Sequence, residues 1–294
     1  MTRAERPDRV LSPGARVAVV AGSGGLPRDV VAALIRQGHR PLVVAIEGDA
    51  DWIGEGAQSF DLMPTPPERF ALVLPKLKRA GVTHLVLAGG VSGRPPLHRI
   101  RFGLDVFKML PRLIRAYAKG DDGLLRAVIA YIEDNGIAVL GAHEIAPDLL
   151  APAGVLSRVR PSAADRRDIA AAHEAAHAIG VLDIGQAAIA VGGRAVALEG
   201  IEGTAGLLER MRDMRGHGRL AGRKRGVLVK CAKPQQELRA DLPTIGLQTI
   251  EAAHAAGLAG VAVEAGRALI IDYAATVARA DELGLYLVGL EDVA

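Results

Sequence analysis

The sequence is poor in cysteine and in aromatic residues. Cys231 is the single cysteine among 294 residues, so no intramolecular disulfide can form and a reducing compartment is expected. Aromatic residues make up 3% of the chain while half of it is hydrophobic, so small and aliphatic side chains must build the core. A nucleophilic cysteine needs an activating partner, and the position of Cys231 beside an apolar run favours simple packing.

The sequence also lacks a long apolar stretch and a strong charge of one sign. No uninterrupted apolar run reaches the length of a bilayer span, and the opening segment MTRAERPDRVLSPGAR has no apolar core of the signal-peptide kind. The net charge is +3, from 36 basic and 33 acidic side chains, which is too small and too mixed to predict a nucleic-acid partner. We therefore expect a cytoplasmic protein that touches a membrane only at its surface.

Apolar runs alternate with helical patterns in the first half of the chain. Strands are predicted at 17–21, 42–46, 85–88 and 137–140, and helices at 67–79, 105–119, 121–135 and from GSGGLP through residue 37. Strands separated by helices predict a parallel, Rossmann-like α/β layer.

The second half has a different pattern of predicted elements. Prolines and glycines in GAHEIAPDLLAPAG predict a domain boundary near residue 145. Two hairpins are predicted, one joining 187–191 to 195–199 across Gly192-Gly193 and one joining 261–264 to 268–272 across Gly266-Arg267. Helices are predicted at 165–179, 204–211, 247–256 and 273–283. The predicted fold is α/β, with a Rossmann-like parallel-sheet domain at 14–144 and a mixed α+β domain at 145–294.

Two glycine-rich turns follow predicted strands of the first domain, AGSGGLP and AGGVSGRP. Glycines at a strand-to-helix turn let backbone N–H groups approach a phosphate. The predicted phosphate-binding residues are Gly22, Ser23, Gly24, Gly25, Leu26, Gly89, Gly90, Val91 and Ser92. Pro27 replaces the third glycine of the usual dinucleotide fingerprint, which disfavours a nicotinamide-dependent oxidoreductase but leaves nucleotide binding intact. A purely structural turn is the alternative.

Acidic side chains follow several other predicted elements. Asp122 begins a predicted helix, where capping is an alternative to metal binding. Glu199 and Glu202 bracket the turn EGIEGT, and carboxylates at the end of a hairpin suit Mg²⁺. His143 in GAHE and Gln186 in DIGQ stand at predicted strand ends, as candidate contacts to a nucleotide. Solvated surface acids are the alternative for each carboxylate.

The most informative segment is GVLVKCAKPQQELRADLPTIG, at 226–246. A predicted buried strand is followed there by a loop rich in charged residues, and catalytic groups concentrate in loops of this kind. Phosphoryl chemistry needs an acid to hold metal or orient water, and cations to offset developing charge. Asp241 is the candidate acid, and Lys230, Lys233 and Arg239 are the candidate cations. A solvated surface loop is the alternative.

Taken in order, eight motifs resemble one family. They are AGSGGLP, GGVSGRP, KGDDGLLR, GAHE, DIGQ, EGIEGT, KPQQELRADLPTIG and GLAGVAVEAGRALI. The family is the UDP-2,3-diacylglucosamine pyrophosphatases of lipid A biosynthesis, of the two-domain, DLPTIG-containing type, and the resemblance covers nearly the whole chain.

The resemblance implies a reaction, a cofactor and a set of residues. The reaction is hydrolysis of UDP-2,3-diacylglucosamine to UMP and 2,3-diacylglucosamine 1-phosphate (lipid X), with Mg²⁺ required. The DLPTIG acid, here Asp241, is the essential aspartate, and Glu199, Glu202 and Asp122 are further candidate metal ligands. Gln236 and Thr244 join the candidate substrate contacts. A homodimer and transient contact with the inner membrane are also expected. Two rivals remain open, an NAD(P)-dependent oxidoreductase and a non-catalytic carrier of a nucleotide-lipid.

Overall fold

The structure, a computed structural model, describes residues 11–12, 14–46, 51–54, 58–90, 121–220, 222 and 225–291. The chain forms two compact units, Met1–Pro147 and Asp148–Ala294. The candidate residues Val91 and Ser92 and the predicted helix at 105–119 lie outside the described residues. Asp122 lies within a described helix, but its side chain lies outside the described part.

The N-terminal unit contains a five-stranded parallel sheet in the order β3-β2-β1-β4-β5. The strands are β1 (Val17–Ala21), β2 (Leu42–Ile46), β3 (Asp61–Thr65), β4 (His84–Ala88) and β5 (Ala138–Leu140). The helices are α1 (Leu26–Arg36), α2 (Val73–Arg79), α3 (Asp121–Asp134) and α4 (Ala142–Ile145), with a 3₁₀ segment at Pro67–Leu72 before α2. β1 and β2 are buried along their whole length, as expected of strands covered on both faces. The predicted Rossmann-like sheet is confirmed.

One strand of this sheet escaped prediction. β3 has the sequence DLMPT, and it mixes exposed and buried residues. It lies at the edge of the sheet, where a proline such as Pro64 is tolerated because one side of the strand needs no hydrogen-bond donor. A short, half-exposed edge strand interrupted by proline has no apolar run long enough for sequence periodicity to detect.

The C-terminal unit is built on a six-stranded mixed sheet in the order β6-β13-β11-β9-β7-β8. Its strands are β6 (Gly154–Val155), β7 (Ala187–Ala190), β8 (Ala195–Leu198), β9 (Val227–Lys230), β11 (Gly260–Glu264) and β13 (Tyr286–Leu290). A separate two-stranded parallel sheet joins β10 (Thr244–Ile245) to β12 (Leu269–Ile270). The helices are α5 (Ala163–Val181), α6 (Gly203–Met214), α7 (Leu247–Ala255) and α8 (Tyr273–Glu282). The predicted mixed α+β class is confirmed.

Helices cover both faces of the six-stranded sheet. Ile169, Ala172 and Ala176 of α5 pack on one face, while residues of α6, α7 and α8 pack on the other. Alternation along β9 sends Val227 and Val229 to the α5 face and Leu228 to the opposite face. The residue after Val229 therefore points to the same side as Leu228, and that residue is Lys230.

Of the two predicted hairpins, one is confirmed and one is wrong. β7 and β8 pair in antiparallel register across the Gly192-Gly193 turn. β11 instead pairs in parallel with both β9 and β13, whereas β12 pairs with β10 in the other sheet. The turn between β11 and β12 thus joins two sheets. The local sequence resembles a hairpin because a tight glycine turn serves either connection.

Candidate functional site

The glycine turns of the N-terminal unit meet at the carboxyl edge of its sheet. The turn after β1 and the turn after β4 lie side by side, because β1 and β4 are paired neighbours. Ser23 N donates to Gly90 O at 2.7 Å, Gly90 N donates to Ser23 O at 3.2 Å, and Ser23 Oγ donates to Gly90 O at 3.0 Å. The strand order reverses between β1 and β4, and ligands of open α/β sheets bind at such a switch point.

The close approach of the two turns depends on the absence of side chains. A Cβ at Gly22 would overlap the Gly90 carbonyl oxygen, and a Cβ at Gly89 would overlap the Ser23 carbonyl oxygen. Gly89 also has a φ of +83°, in the region that glycine adopts at little cost. The helix α1 begins directly after Gly25, with Pro27 in its first turn. The edge therefore combines a narrow backbone cradle with a helix N-terminus, which together suit an anion.

His143 lies at the same edge of the sheet, in α4 directly after β5. Its Nδ1 is buried and has no hydrogen-bond partner within the described residues. Burial lowers the pKa of His143, while the neighbouring Glu144 opposes that shift. The Glu144 carboxylate accepts a hydrogen bond from Gly141 N at 2.8 Å and so caps α4. A neutral imidazole with an unused buried nitrogen is suited to contact a ligand.

In the C-terminal unit, polar residues from three strand ends share one edge of the large sheet. Gln186 precedes β7, Glu199 follows β8, and Lys230 ends β9, where it pairs with Ala187. Glu199 is buried, and its two carboxylate oxygens accept from Gln186 N at 2.7 Å and from Thr204 Oγ1 at 2.6 Å. Glu199 therefore ties the start of β7 to α6.

Lys230 is a buried cation at this edge. Its Nζ donates to Thr244 O at 3.1 Å, which connects the large sheet to β10 of the small one. Burial lowers the pKa of Lys230, and the negative charges of Glu199 and Asp241 oppose that shift. The ammonium group thus donates to a carbonyl and is attracted by two acids, in surroundings that disfavour its charge on balance.

Asp241 is partly exposed on the loop that follows β9. Gln236 Nε2 donates to Asp241 Oδ2 at 2.6 Å, and Gln236 Oε1 accepts from Lys233 N at 2.8 Å. Gln236 Nε2 also lies 3.4 Å from Gln186 Oε1. Within the described part of the chain, Oδ2 is the oxygen of Asp241 that is hydrogen-bonded, and Oδ1 accepts no such bond.

The other candidate cations of the loop are engaged in ion pairs. Lys233 Nζ lies 2.6 Å from Asp183 Oδ1, and Arg239 Nε lies 2.8 Å from Glu237 Oε1. Both of these cations are thus already neutralised by acids of the protein. Either cation must exchange its acidic partner for a ligand phosphate in order to bind one.

Glu202 stands apart from Glu199 although only two residues separate them. It occupies the N-cap position of α6 without a capping hydrogen bond from its side chain, and it forms an ion pair with Arg210. Backbone hydrogen bonds at the helix start and the Arg210 charge hold the pKa of Glu202 below its usual value. Its surroundings include Glu209 and Asp213, in a polar groove along α6. Glu202 therefore belongs to a different local environment from Gln186 and Lys230.

A second group of potential ligands lies beside this network. Nitrogen, sulfur and oxygen atoms of His173, Cys231 and Glu264 lie within 4.8 Å of one another. One oxygen of Glu264 accepts from Ala232 N at 2.9 Å, the other lies 3.7 Å from His173 Nε2, and the Arg267 guanidinium is 4.0 Å away. Burial raises the pKa of the Cys231 thiol, so it stays protonated. We assign this group to packing, as the sequence predicts for Cys231.

Sequence reasoning missed some members of the network. Asp183 has a positive φ of 55° and turns its carboxylate toward Lys233, a relationship between segments far apart in the chain. Thr204 resembles a helix cap in sequence, but it lies inside α6 and its hydroxyl donates a hydrogen bond to Glu199. No local pattern identifies such pairs, because each depends on how β7, β8 and β9 are arranged in the sheet.

The fold and these two edges define a class, a two-unit α/β protein with a narrow glycine cradle at the sheet edge of one unit and a network of acids, amides and cations in the other. Family models match both units. The LpxI N-terminal domain matches residues 16–149, and the LpxI C-terminal domain matches residues 152–288. The chain is also 38% identical over 283 residues to the UDP-2,3-diacylglucosamine pyrophosphatase LpxI of Caulobacter vibrioides, covering 94% of this chain and 98% of that protein. This protein belongs to the LpxI family.

A solved structure gives a more distant likeness. It is a UDP-glucose-4-epimerase from Stenotrophomonas maltophila with bound NAD and formylated UDP-arabinopyranose, 12% identical, covering 42% of this chain and 34% of that one, with a TM-score of 0.28. At that score the likeness supports no argument about function. In the part of the chain that the structure describes, no helix is both long enough and apolar enough to cross a membrane.

Proposed function

We propose that this protein hydrolyses the pyrophosphate of UDP-2,3-diacylglucosamine, giving UMP and 2,3-diacylglucosamine 1-phosphate in lipid A biosynthesis. The name of the Caulobacter relative and its end-to-end match support the substrate and the reaction. The observation that carries the proposal is the state of Asp241, whose carboxylate is fixed through Oδ2 and open at Oδ1 beside a buried lysine.

Nucleotide phosphates are proposed to bind the glycine cradle of the N-terminal unit. Backbone N–H groups of Gly22–Leu26 and Gly89–Gly90, with the N-terminus of α1, offer donors for a pyrophosphate. Val91 and Ser92 continue this turn in the sequence and remain predicted contacts. The unpartnered Nδ1 of His143 supports its proposed role as a substrate contact.

Hydrolysis is proposed to depend on the polar edge of the C-terminal unit. Asp241 Oδ1 is available for a metal ion or for the attacking water, while Gln236 fixes the carboxylate through Oδ2. Lys230 supplies a positive charge whose pKa is lowered by burial, and electrostatic stabilisation of developing charge is strong in such surroundings. Lys233 and Arg239 offset phosphate charge after leaving Asp183 and Glu237. Gln186 and Thr244 complete the proposed contacts.

Mg²⁺ is the proposed cofactor. Proteins hold Mg²⁺ through one or two carboxylates together with substrate phosphates, and Asp241 with its open Oδ1 fits that requirement. Glu199 has both oxygens engaged and Glu202 is paired with Arg210, so of these three Asp241 is the preferred ligand. Asp122 remains a predicted ligand. When bound, Mg²⁺ would polarise the pyrophosphate and neutralise its charge.

The site of action is proposed to be the cytoplasmic face of the inner membrane, because the acyl chains of the substrate reside in that membrane. A homodimer is a further prediction, which sedimentation of the purified protein checks.

The deciding experiment measures UMP release from UDP-2,3-diacylglucosamine in detergent, with Mg²⁺ and with EDTA. We expect metal-dependent release by the wild type and a loss of at least about a hundredfold in Asp241→Asn. Asp213→Asn is the matched control, because Asp213 is exposed and contacts only Arg212 among the ion pairs described. Near-normal release by a folded Asp241→Asn protein would overturn the assignment of Asp241. Binding of substrate by the wild type without any UMP release would favour the carrier.

A further inference from the structure

Five large apolar side chains are exposed together on the C-terminal unit. We call this surface the apolar rim. Its members and their exposed fractions are Val181 (62%), Leu182 (68%), Ile184 (54%), Leu198 (41%) and Ile201 (107%). Single exposed apolar residues are common on protein surfaces, whereas a group of them marks an interaction site.

The members of the apolar rim come from two segments that touch. The first is the end of α5 with the turn that follows it, and the second is the end of β8 with its continuation. Gln186 N and Glu199 N bind across the two segments, to Glu199 Oε2 and Ala187 O. A Cβ at Gly185 would meet the backbone of Glu199 within 3.0 Å, so the segments are in close contact.

The apolar rim borders the proposed catalytic network. In both segments, apolar side chains that face solvent alternate with acids that face the network. Asp183, between Leu182 and Ile184, pairs with Lys233. Lys233 N in turn donates to Gln236, and Gln236 donates to Asp241. One ion pair thus connects the apolar rim to the loop, and two hydrogen bonds within the loop lead on to the proposed catalytic acid.

The charges beside the apolar rim are paired. Arg210 donates to Leu198 O at 2.6 Å and forms an ion pair with Glu202, and Lys233 is neutralised by Asp183. Both of these cations are therefore neutralised by an acid. Electrostatic attraction to an anionic surface is therefore weak here, and apolar contacts must supply most of the binding free energy.

The size and shape of the apolar rim limit the kinds of partner that can bind to it. A stable protein–protein interface uses about 20–30 residues on each side, far more than these five. The side chains project from a helix end, a strand end and the turns that follow them, and Ile201 is fully exposed. Projecting apolar side chains suit insertion into the interfacial layer of a bilayer, where each buried apolar group adds to binding.

We propose that the apolar rim inserts into the surface layer of a phospholipid bilayer and so holds the catalytic loop next to its membrane-borne substrate. The choice of occupant rests on the proposed function, because a substrate with two acyl chains brings this edge to a membrane. The rim binds the bilayer itself, with or without substrate in it.

Cosedimentation with phosphatidylcholine vesicles that contain no substrate tests the inference. The wild type is expected to bind the vesicles, and the double variant Leu182→Ser/Ile201→Ser to partition about tenfold less or weaker still. Leu62→Ser is the matched control, since Leu62 is 44% exposed on the edge strand of the other unit, and it should bind as the wild type does. Binding should change little between about 0.05 and 0.5 M salt, because apolar contact is not screened.

Three results would overturn the inference. They are equal binding by the wild type and the double variant, binding that high salt abolishes, and concentration-dependent dimerisation that the double variant removes without any vesicle binding. Ile201→Ser alone, at an exposed turn, repeats the test should the double variant unfold. Because the vesicles contain no substrate, their result is independent of UMP release. If the wild type released no UMP, the proposed function would be refuted, but the vesicle result would still hold.

Discussion

The side-chain amide of Gln236 donates to Asp241 Oδ2 across 2.6 Å, and the chain itself fixes the direction of that bond. The backbone N–H of Lys233 can only donate, so it must face Gln236 Oε1, at 2.8 Å. The nitrogen of the amide is then left to face Asp241. Gln236 consequently holds one oxygen of the carboxylate and leaves the other for a ligand.

Replacing Gln236 by glutamate should remove the amide donor to Asp241 while keeping the size and shape of the side chain. Two carboxylates at hydrogen-bond distance cannot both ionise easily, so one of them should titrate well above its usual pKa. We expect UMP release at neutral pH to fall by at least about tenfold, and the pH–rate profile to shift.

The matched control for this change is Gln235→Glu, which adds the same charge at an exposed neighbouring position. It should leave both the rate and the pH profile near those of the wild type. Equal losses in the two variants would mean that charge anywhere on the loop is harmful, and that the contact between Gln236 and Asp241 has no special role.

Lys230→Met should separate stability from activity. Burial lowers the pKa of Lys230, so the folded protein disfavours this charge, and an apolar replacement of similar length removes the cost. The free energy of unfolding should change little, because the lost attraction to Glu199 and Asp241 offsets the relief of the desolvation cost, whereas UMP release should fall by about a hundredfold or more.

Denaturant unfolding and rate measurements on the same preparations check this prediction, with the exposed Lys76→Met as control. A large loss of stability in Lys230→Met would mean that Lys230 is instead the structural counter-charge of Glu199.

Gly22→Ala should disrupt the glycine cradle. The new Cβ would overlap the Gly90 carbonyl oxygen, which is backbone and cannot rotate away, so the two turns must separate. We expect a loss of about 1–3 kcal/mol in the N-terminal unit together with weaker UMP binding. Calorimetric titration with UMP and thermal unfolding measure the two effects. Gly14→Ala, where a Cβ meets nothing within 4 Å, should change neither, and equal behaviour of the two variants would argue against contact between the turns.

Asp165 should stabilise the C-terminal unit in a pH-dependent manner. Burial by itself raises the pKa of Asp165, but hydrogen bonds from Arg225 and Ser162 outweigh it and the net pKa lies below the usual 3.8. The unfolded chain therefore binds the proton more readily. The stability from this carboxylate is present above about pH 3.8 and is lost as the pH falls through the lower, folded-state pKa.

Comparison of the wild type with Asp165→Asn by denaturant unfolding across pH checks this sign. The wild type should be more stable by about 2 kcal/mol near neutral pH, and the difference should shrink below about pH 3.8. Exposed Asp213→Asn should show little difference at any pH. A gap that widens in acid would contradict the assignment.

Much of the N-terminal unit could be predicted from sequence, since each buried strand of its sheet is a separate apolar run. β1 and β2 are buried along their whole length, so their composition alone marks them. The glycine turn after β1 is predictable too, because glycines at a strand end indicate a tight turn. β3 was missed because an edge strand needs no apolar run.

The C-terminal unit divides in the same way between local and distant information. Apolar runs along the chain predict β7, β8, β9, β11 and β12, the Gly192-Gly193 pair predicts the hairpin of β7 and β8, and the charged residues after β9 single out Asp241, whereas β6, β10 and β13 are not predicted. Only the tertiary structure decided that β12 belongs to a second sheet, that both carboxylate oxygens of Glu199 accept hydrogen bonds from Gln186 and Thr204, and that Lys230 is buried. Periodicity reports which residues are buried, whereas strand order decides which distant residues share an edge, and at this site the chemistry depends on that shared edge.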